Sequence, residues 1–204
     1  PSDLSEALEK RIPKIVGFAN YSWNFNISYE YIKRIKQKYP GTIIVMGGPN
    51  YGLSKEEMTS FWEQYPLVDF HIVFEGEIAM VELIEVLESV DYDVLAIKKS
   101  LRKIPSCHYS YKGTIIQGQV LPRVKDLNEF PSPYLTGMMD KFFDGQLVPL
   151  IYTTRGCPFK CTFCNEGNDY YNTVSKRTEL HEELSYIGKR IGSIKEVCLA
   201  DANF

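Results

Sequence analysis

The first ninety residues alternate short apolar runs with stretches of helical periodicity. Residues 14–19 (KIVGFA), 42–46 (TIIVM) and 70–74 (FHIVF) are brief and β-branched-rich, the pattern of strands buried on both faces of a parallel sheet. Between them, Tyr29, Ile32, Ile35 and Tyr39 recur at helical spacing. Ser54 followed by Glu57 forms a capping box that opens a helix, and Pro66 closes it. A third helix is predicted over 78–87, with Val81, Ile84 and Leu87 on one face. Strands alternating with helices through short loops predict a doubly wound parallel sheet.

The pattern changes from about residue 100. Five of the eleven prolines fall between 100 and 149, and helical periodicity stops. Tyr109–Tyr111 and Thr114–Ile116 flank Lys112-Gly113, which predicts a small hairpin. Residues 122–133 then read as an extended crossing between domains. Beyond it, 148–153 and 197–200 are apolar strands, and Leu180, Leu184, Ile187 and Ile191 mark a helix between them. The expected organisation is therefore a partial Rossmann-like domain over 1–98, a hairpin and linker over 99–147, and one βαβ unit over 148–204. The sequence opens at Pro1 without methionine and closes directly after an apolar run, so both ends read as cut.

Composition narrows the function classes. Hydrophobic residues make up 44% and charged residues 24%, enough apolar side chain for a true core. The formal charge of −3 gives no electrostatic footprint for nucleic acid or an anionic membrane. No membrane-length apolar run or secretory leader pattern is present, so the expected compartment is the cytoplasm.

Three of the five cysteines sit within eight residues, in the string TRGCPFKCTFC, as Cys157, Cys161 and Cys164. Thiolates are the ligands of iron–sulfur clusters, and this spacing lets one loop take three corners of a cubane while one iron stays open. Gly156 and Pro158 suit a tight loop, and Arg155 can offset negative charge. A structural zinc site would need a fourth ligand, for which only the lone Cys107 and Cys198 and His181 remain. A disulfide in the loop would leave an odd thiol and require an oxidising compartment. Cys107 and Cys198 read as ordinary buried or half-buried thiols, and Glu182–Glu183 as part of a solvated helix face.

The CxxxCxxC string after a strand resembles the signature of the radical S-adenosylmethionine (radical SAM) superfamily. The resemblance implies a [4Fe–4S] cluster on Cys157, Cys161 and Cys164, with its open iron chelating S-adenosylmethionine. Electron transfer into the sulfonium then breaks a carbon–sulfur bond, and the resulting 5′-deoxyadenosyl radical takes a hydrogen atom from substrate. Phe163 matches the aromatic that packs on the adenine in this family. The ending Asp201-Ala202-Asn203-Phe204 resembles the Asp-Asp-Asn-Phe of a subgroup with an N-terminal cobalamin-type domain. That makes Asp201 and Asn203 candidate S-adenosylmethionine contacts, with simple strand-end capping the competing role for both.

The subgroup resemblance extends upstream to Tyr21-Ser22-Trp23-Asn24, to Gly47-Gly48-Pro49, and to Asp69 with Glu75-Gly76-Glu77. Gly47 and Gly48 are the candidate cofactor contacts, since glycines at strand ends let backbone approach a ligand. Cobalamin itself is left doubtful. The family's ligand histidine sits in an Asp-x-His-x-x-Gly loop, whereas Asp69-Phe70-His71 lies in an apolar run with Phe74 at the glycine position, so His71 reads as a packed strand residue.

The expected fold is thus an α/β chain: a Rossmann-like, cobalamin-domain-like parallel sheet, then the first βαβ of a partial (βα)6 radical SAM barrel. The leading function is radical chemistry begun by S-adenosylmethionine cleavage on an unknown small-molecule or modified-biomolecule substrate, with no separate catalytic side chain assigned. Alternatives are a cobalamin-dependent radical SAM methyltransferase and a non-catalytic iron–sulfur scaffold. A flavodoxin- or ferredoxin-type electron donor is the implied partner, and neither membrane nor nucleic acid is expected.

Overall fold

A computed structural model describes residues 2–178 and 180–203; Phe204, quoted above, lies outside them. The chain divides into two compact units, Pro1–Leu121 and Pro122–Phe204.

Helix α1 (Ser2–Lys10) opens the first unit, and strands β1 (Ile15–Ala19), β2 (Ile43–Gly47) and β3 (Phe70–Ile72) form its parallel core. Helix α2 (Phe25–Lys38) links the first pair and α3 (Lys55–Gln64) the second. The two helices share one face of the sheet: Phe25 meets Tyr65 at 4.6 Å between ring centroids, and Tyr29 meets Tyr65 at 4.9 Å. Successive right-handed crossovers in one direction require that arrangement. The Ser54–Glu57 capping box at the start of α3 is present in full. Helices α4 (Glu77–Glu88) and α5 (Val94–Ser100) follow; α4 buries Ala79, Leu83, Val86 and Leu87.

The parallel, Rossmann-like class holds, but the sheet is not doubly wound. Its order is β1-β2-β3-β4-β5, and the last two strands, β4 (Cys107–Tyr111) and β5 (Thr114–Gln117), are antiparallel. Among the described strands the order never reverses, because the free side of β3 is taken by β4 through the pair His71 and His108. The predicted hairpin therefore exists, with Lys112 and Gly113 both at positive φ (49° and 76°) as a two-residue turn of this hand requires. It belongs to the first sheet rather than to a linker. The proline count hid this, since those prolines flank the strands without interrupting them.

In the second unit, β6 (Leu150–Ile151) and β9 (Cys198–Leu199) pair in parallel with α6 (Leu180–Arg190) between them, the expected βαβ. Both strands are shorter than predicted. A small antiparallel pair, β7 (Thr154–Arg155) with β8 (Ser175–Lys176), brackets the cysteine loop. Tyr134, Ile151 and Ile187 make the small core.

Residues 122–133, expected as an extended crossing, belong to this second unit and run along it as a strap. The Ser175 hydroxyl donates to the Val124 carbonyl, Asn128 Nδ2 donates to Thr178 at 2.8 Å, and Arg177 donates to the Leu127 carbonyl at 3.2 Å. Glu183 is buried rather than solvated: Ser132 donates to it at 2.6 Å and Arg177 stands 3.6 Å away. A carboxylate at that depth is tolerable only with such partners. No helix among the described residues is long and apolar enough to cross a membrane.

Candidate cofactor sites

The first candidate site lies at the C-terminal ends of β1, β2 and β3, where side chains and loops leave the sheet together. Asn20 follows β1 and is fully buried. Its amide N–H donates to the Gly47 carbonyl at 2.7 Å, and its side chain donates to the Asn50 carbonyl at 3.2 Å. Asn50 returns a bond to Asn20 Oδ1 at 3.2 Å, and its backbone N–H bonds the Asn20 carbonyl at 3.1 Å. These bonds tie the loop after β1 to the loop after β2. Gly48 makes the closeness possible. At φ +136° a Cβ there would stand 2.6 Å from the Asn20 carbonyl oxygen, so only glycine fits.

Beneath the loops lies a buried polar cluster that sequence reasoning missed. His71 Nε2 is 3.1 Å from Asn20 Nδ2, so that nitrogen accepts, and the Tyr51 ring stacks on the imidazole at 4.1 Å. Trp62 Nε1 donates to the Tyr51 hydroxyl at 2.9 Å, and that hydroxyl lies 3.3 Å from His108 Nδ1. Burial pushes the His71 pKa down to about 3, with His108 adding repulsion, and lowers His108 to about 4. Both imidazoles are neutral core groups, so His71 is a packed strand residue. The signal for the cluster was faint: polar residues spaced 20 to 37 apart share no local motif.

The loop after β1 also carries an exposed aromatic pair. Tyr21 and Trp23 stack at 4.6 Å with 19° between their planes, and Trp23 is 77% exposed. Asp69 stands at the opposite end of β3. It bonds Lys36 at 2.6 Å and the Ile44 N–H at 2.8 Å, so its role is to hold the sheet.

The second candidate site is the loop between β7 and β8. Its backbone is well tied: Cys157 N–H donates to the Tyr171 carbonyl at 3.0 Å, Cys164 N–H to Cys161 at 3.1 Å, and Gly167 N–H to Cys164 at 3.0 Å. Gly167 lies so close to Cys161 that a Cβ would come 2.2 Å from its carbonyl oxygen. Cys157 is half-buried, while Cys161 and Cys164 are exposed, and all three thiols are free. Among the described residues no three His, Cys, Asp or Glu side chains gather around a single point as for one metal ion. A cubane does not ask for that, since each cysteine takes a different iron. Three free thiols on one constrained, solvent-open loop fit such a cluster by donor chemistry.

Phe163 projects from this loop at 91% exposure, unpacked by its own unit, and Asn203 is also exposed. Asp201 is committed elsewhere. Its carboxylate accepts from Thr153 N–H at 2.7 Å and Thr154 N–H at 3.1 Å, and from the Thr153 hydroxyl. Partial burial would raise its pKa, but these bonds outweigh it and hold the carboxyl below its usual range. These bonds tie the end of β9 to the end of β6, a strand-end cap. Of the remaining cysteines, Cys107 is buried and its thiol pKa raised by burial, while Cys198 is exposed rather than half-buried.

Residues 1–84 match the B12 binding domain family. The chain is 28% identical over 200 residues to the cobalamin-dependent radical SAM methyltransferase TokK of Streptomyces tokunonensis, covering 94% of this chain and 28% of that protein. The similarity thus joins a B12 binding domain match to a cobalamin-dependent radical SAM methyltransferase relative. It is also 29% identical over 211 residues to an uncharacterized methyltransferase of Pyrococcus horikoshii, covering all of this chain and 42% of that one. The fold matches the radical S-adenosylmethionine methyltransferase TsrM from Kitasatospora setae, solved with cobalamin and a [4Fe–4S] cluster bound. The TM-score is 0.65 at 15% identity, over 98% of this chain and 39% of that one. The chain thus spans well under half of the relatives it matches.

The match to the B12 binding domain family supports cobalamin, which had been left doubtful. That doubt rested on a missing ligand histidine.

Proposed function

We propose that this chain supplies the cobalamin-binding sheet and the cluster loop of a cobalamin-dependent radical SAM methyltransferase. The observation that carries this reading is the union, in one chain, of a B12-binding sheet and a CxxxCxxC loop. Three of the matched relatives are named as methyltransferases and one as an anaerobic magnesium-protoporphyrin IX monomethyl ester cyclase, a balance that favours methyl transfer over radical chemistry of unspecified kind.

Bound cofactors would supply the chemistry: the cluster an electron for S-adenosylmethionine cleavage, cobalamin a carrier for the methyl group. The chain's own residues bind and orient. Gly48 and Asn20 hold two loops down at the strand ends, leaving the Tyr21–Trp23 pair as a flat apolar face for a corrin. Tyr51, His71 and His108 stiffen that floor from below and stay uncharged. Cys157, Cys161 and Cys164 would ligate three irons, and Phe163 is free to lie on an adenine. Asp201 fixes where the strand ends and the cysteine loop begins.

Anaerobic reconstitution of the intact protein tests the reading in two channels. About four irons per chain and one cobalamin are expected, with iron lost and cobalamin kept in a Cys157→Ala, Cys161→Ala, Cys164→Ala variant. The cobalamin spectrum should show no nitrogen ligand from the protein. Zinc as the only metal in the parent, or failure to retain cobalamin, would overturn it.

A further inference from the structure

The strap places a cation behind the cysteine loop. Arg123 lies one residue before Val124, whose carbonyl is fixed by the Ser175 hydroxyl at β8. Its guanidinium sits 5.2 Å from the Tyr171 ring centroid and 5.7 Å from that of Tyr170. The Tyr171 carbonyl is the acceptor for the Cys157 N–H at 3.0 Å. Gly156, buried at φ +93°, closes the arrangement from the other side. A Cβ there would stand 2.6 Å from the Tyr171 carbonyl oxygen and 3.1 Å from Arg123 Nη2.

The guanidinium therefore touches the backbone immediately before the first of the three loop cysteines. Glycine is required at 156 by the backbone angle and by the Tyr171 and Thr173 carbonyl oxygens, 2.6 and 2.8 Å from where a Cβ would stand, with the arginine packed beside them. Arginine suits the place because its planar, permanently charged group stacks on aromatic rings while half-buried, which a lysine ammonium does less well.

We propose that Arg123 is a positioning residue that sets the reduction potential of a cluster held by this loop. Reduction adds one electron to the cluster. A fixed cation behind the first ligand stabilises the more negative, reduced form, and partial burial weakens solvent screening of that effect. The inference rests on the cluster reading above, but its measurement is separate: iron content tests the cluster, and the midpoint potential tests Arg123.

The experiment compares Arg123→Gln and Arg123→Lys with the parent, using iron and sulfide analysis and a redox titration followed by electron paramagnetic resonance. Arg123→Gln should keep the parent's iron and shift the midpoint to lower potential. Arg123→Lys, which keeps the charge, should recover most of the parent value. Should Arg123→Gln fail to take up iron while Arg123→Lys succeeds, the charge is again what matters. Equal shifts in the two variants, an unchanged potential in Arg123→Gln, or loss of iron from both would assign Arg123 to packing alone and overturn the proposal. A parent without iron removes the cluster reading and this inference with it.

Discussion

The two units, Pro1–Leu121 and Pro122–Phe204, solve different problems. In the first, a five-stranded sheet is wrapped by helices, and Ile32, Ile44, Phe70, Leu83 and Leu87 are essentially sealed from solvent. Its polar groups are drawn inward, as neutral imidazoles and amides bonded to one another. In the second, the core reduces to Tyr134, Ile151 and Ile187, and order comes from hydrogen bonds to turns, strap and strand ends. Large apolar side chains such as Met138, Phe159 and Phe163 stand in solvent. One unit offers a rigid floor; the other offers a loop whose shape is set by polar ties. Under the proposed function, a broad, flat cofactor would use the first design and a cluster held by three thiols the second.

Truncating the core probes the contrast most strongly. Leu83→Ala in α4 should destabilise the first unit by about 2–5 kcal/mol, because the site is sealed and surrounded. Both tryptophans, Trp23 and Trp62, lie in that unit. Urea unfolding followed by their fluorescence reports on it alone, and iron content should not change. A loss of iron comparable to the loss of stability would show that the units are not independent in this sense.

Asp201→Ala should act on the second unit, costing about 1–3 kcal/mol by leaving Thr153 and Thr154 donors unpaired. Asp201→Asn, which keeps one acceptor, should recover part of it. Limited proteolysis between 150 and 160 reads the effect. Equal cleavage in parent and Asp201→Ala would end the capping role.

The smallest effect is a pH dependence confined to the first unit. Unfolded histidine takes a proton near 6.5, but folded His71 and His108 resist until about 3 and about 4. Between those values the unfolded chain binds more protons, so stability falls as pH falls from about 6.5. The slope is at most about 1.4 kcal/mol per pH unit for each imidazole. Urea midpoints by tryptophan fluorescence at pH 7.5 and 5.5 test it. A flat profile would mean that one or both rings are charged in the fold.

What was legible in the sequence was local. The three parallel strands, the capping box at Ser54, the Lys112-Gly113 turn and the α6 helix each rest on neighbours within a few residues. The cysteine triplet belongs with them. What was missed depends on residues far apart in the chain. The pairing of β3 with β4 across 37 residues made the hairpin part of the sheet, and nothing in the proline-rich stretch records it. The Asn20–His71–Tyr51 cluster and the Ser132–Glu183–Arg177 contact are likewise assembled only by folding. Composition predicted a solvated Glu183 because a charged helix residue usually is one. Asp201 was noticed for its motif, while its partners at 153 and 154 sit 47 and 48 residues away.

The antiparallel hairpin also bears on how the first sheet comes together in time. Joining β1 to β2 or β2 to β3 requires closing a loop that contains an entire helix. Joining β4 to β5 requires closing two residues, an event on the order of microseconds. Once zipped, the hairpin presents β4 as a ready edge for β3, and the slower crossovers can then add to a template that already exists. Within the first sheet, the strands that come last in the chain therefore face the smallest loop-closure cost.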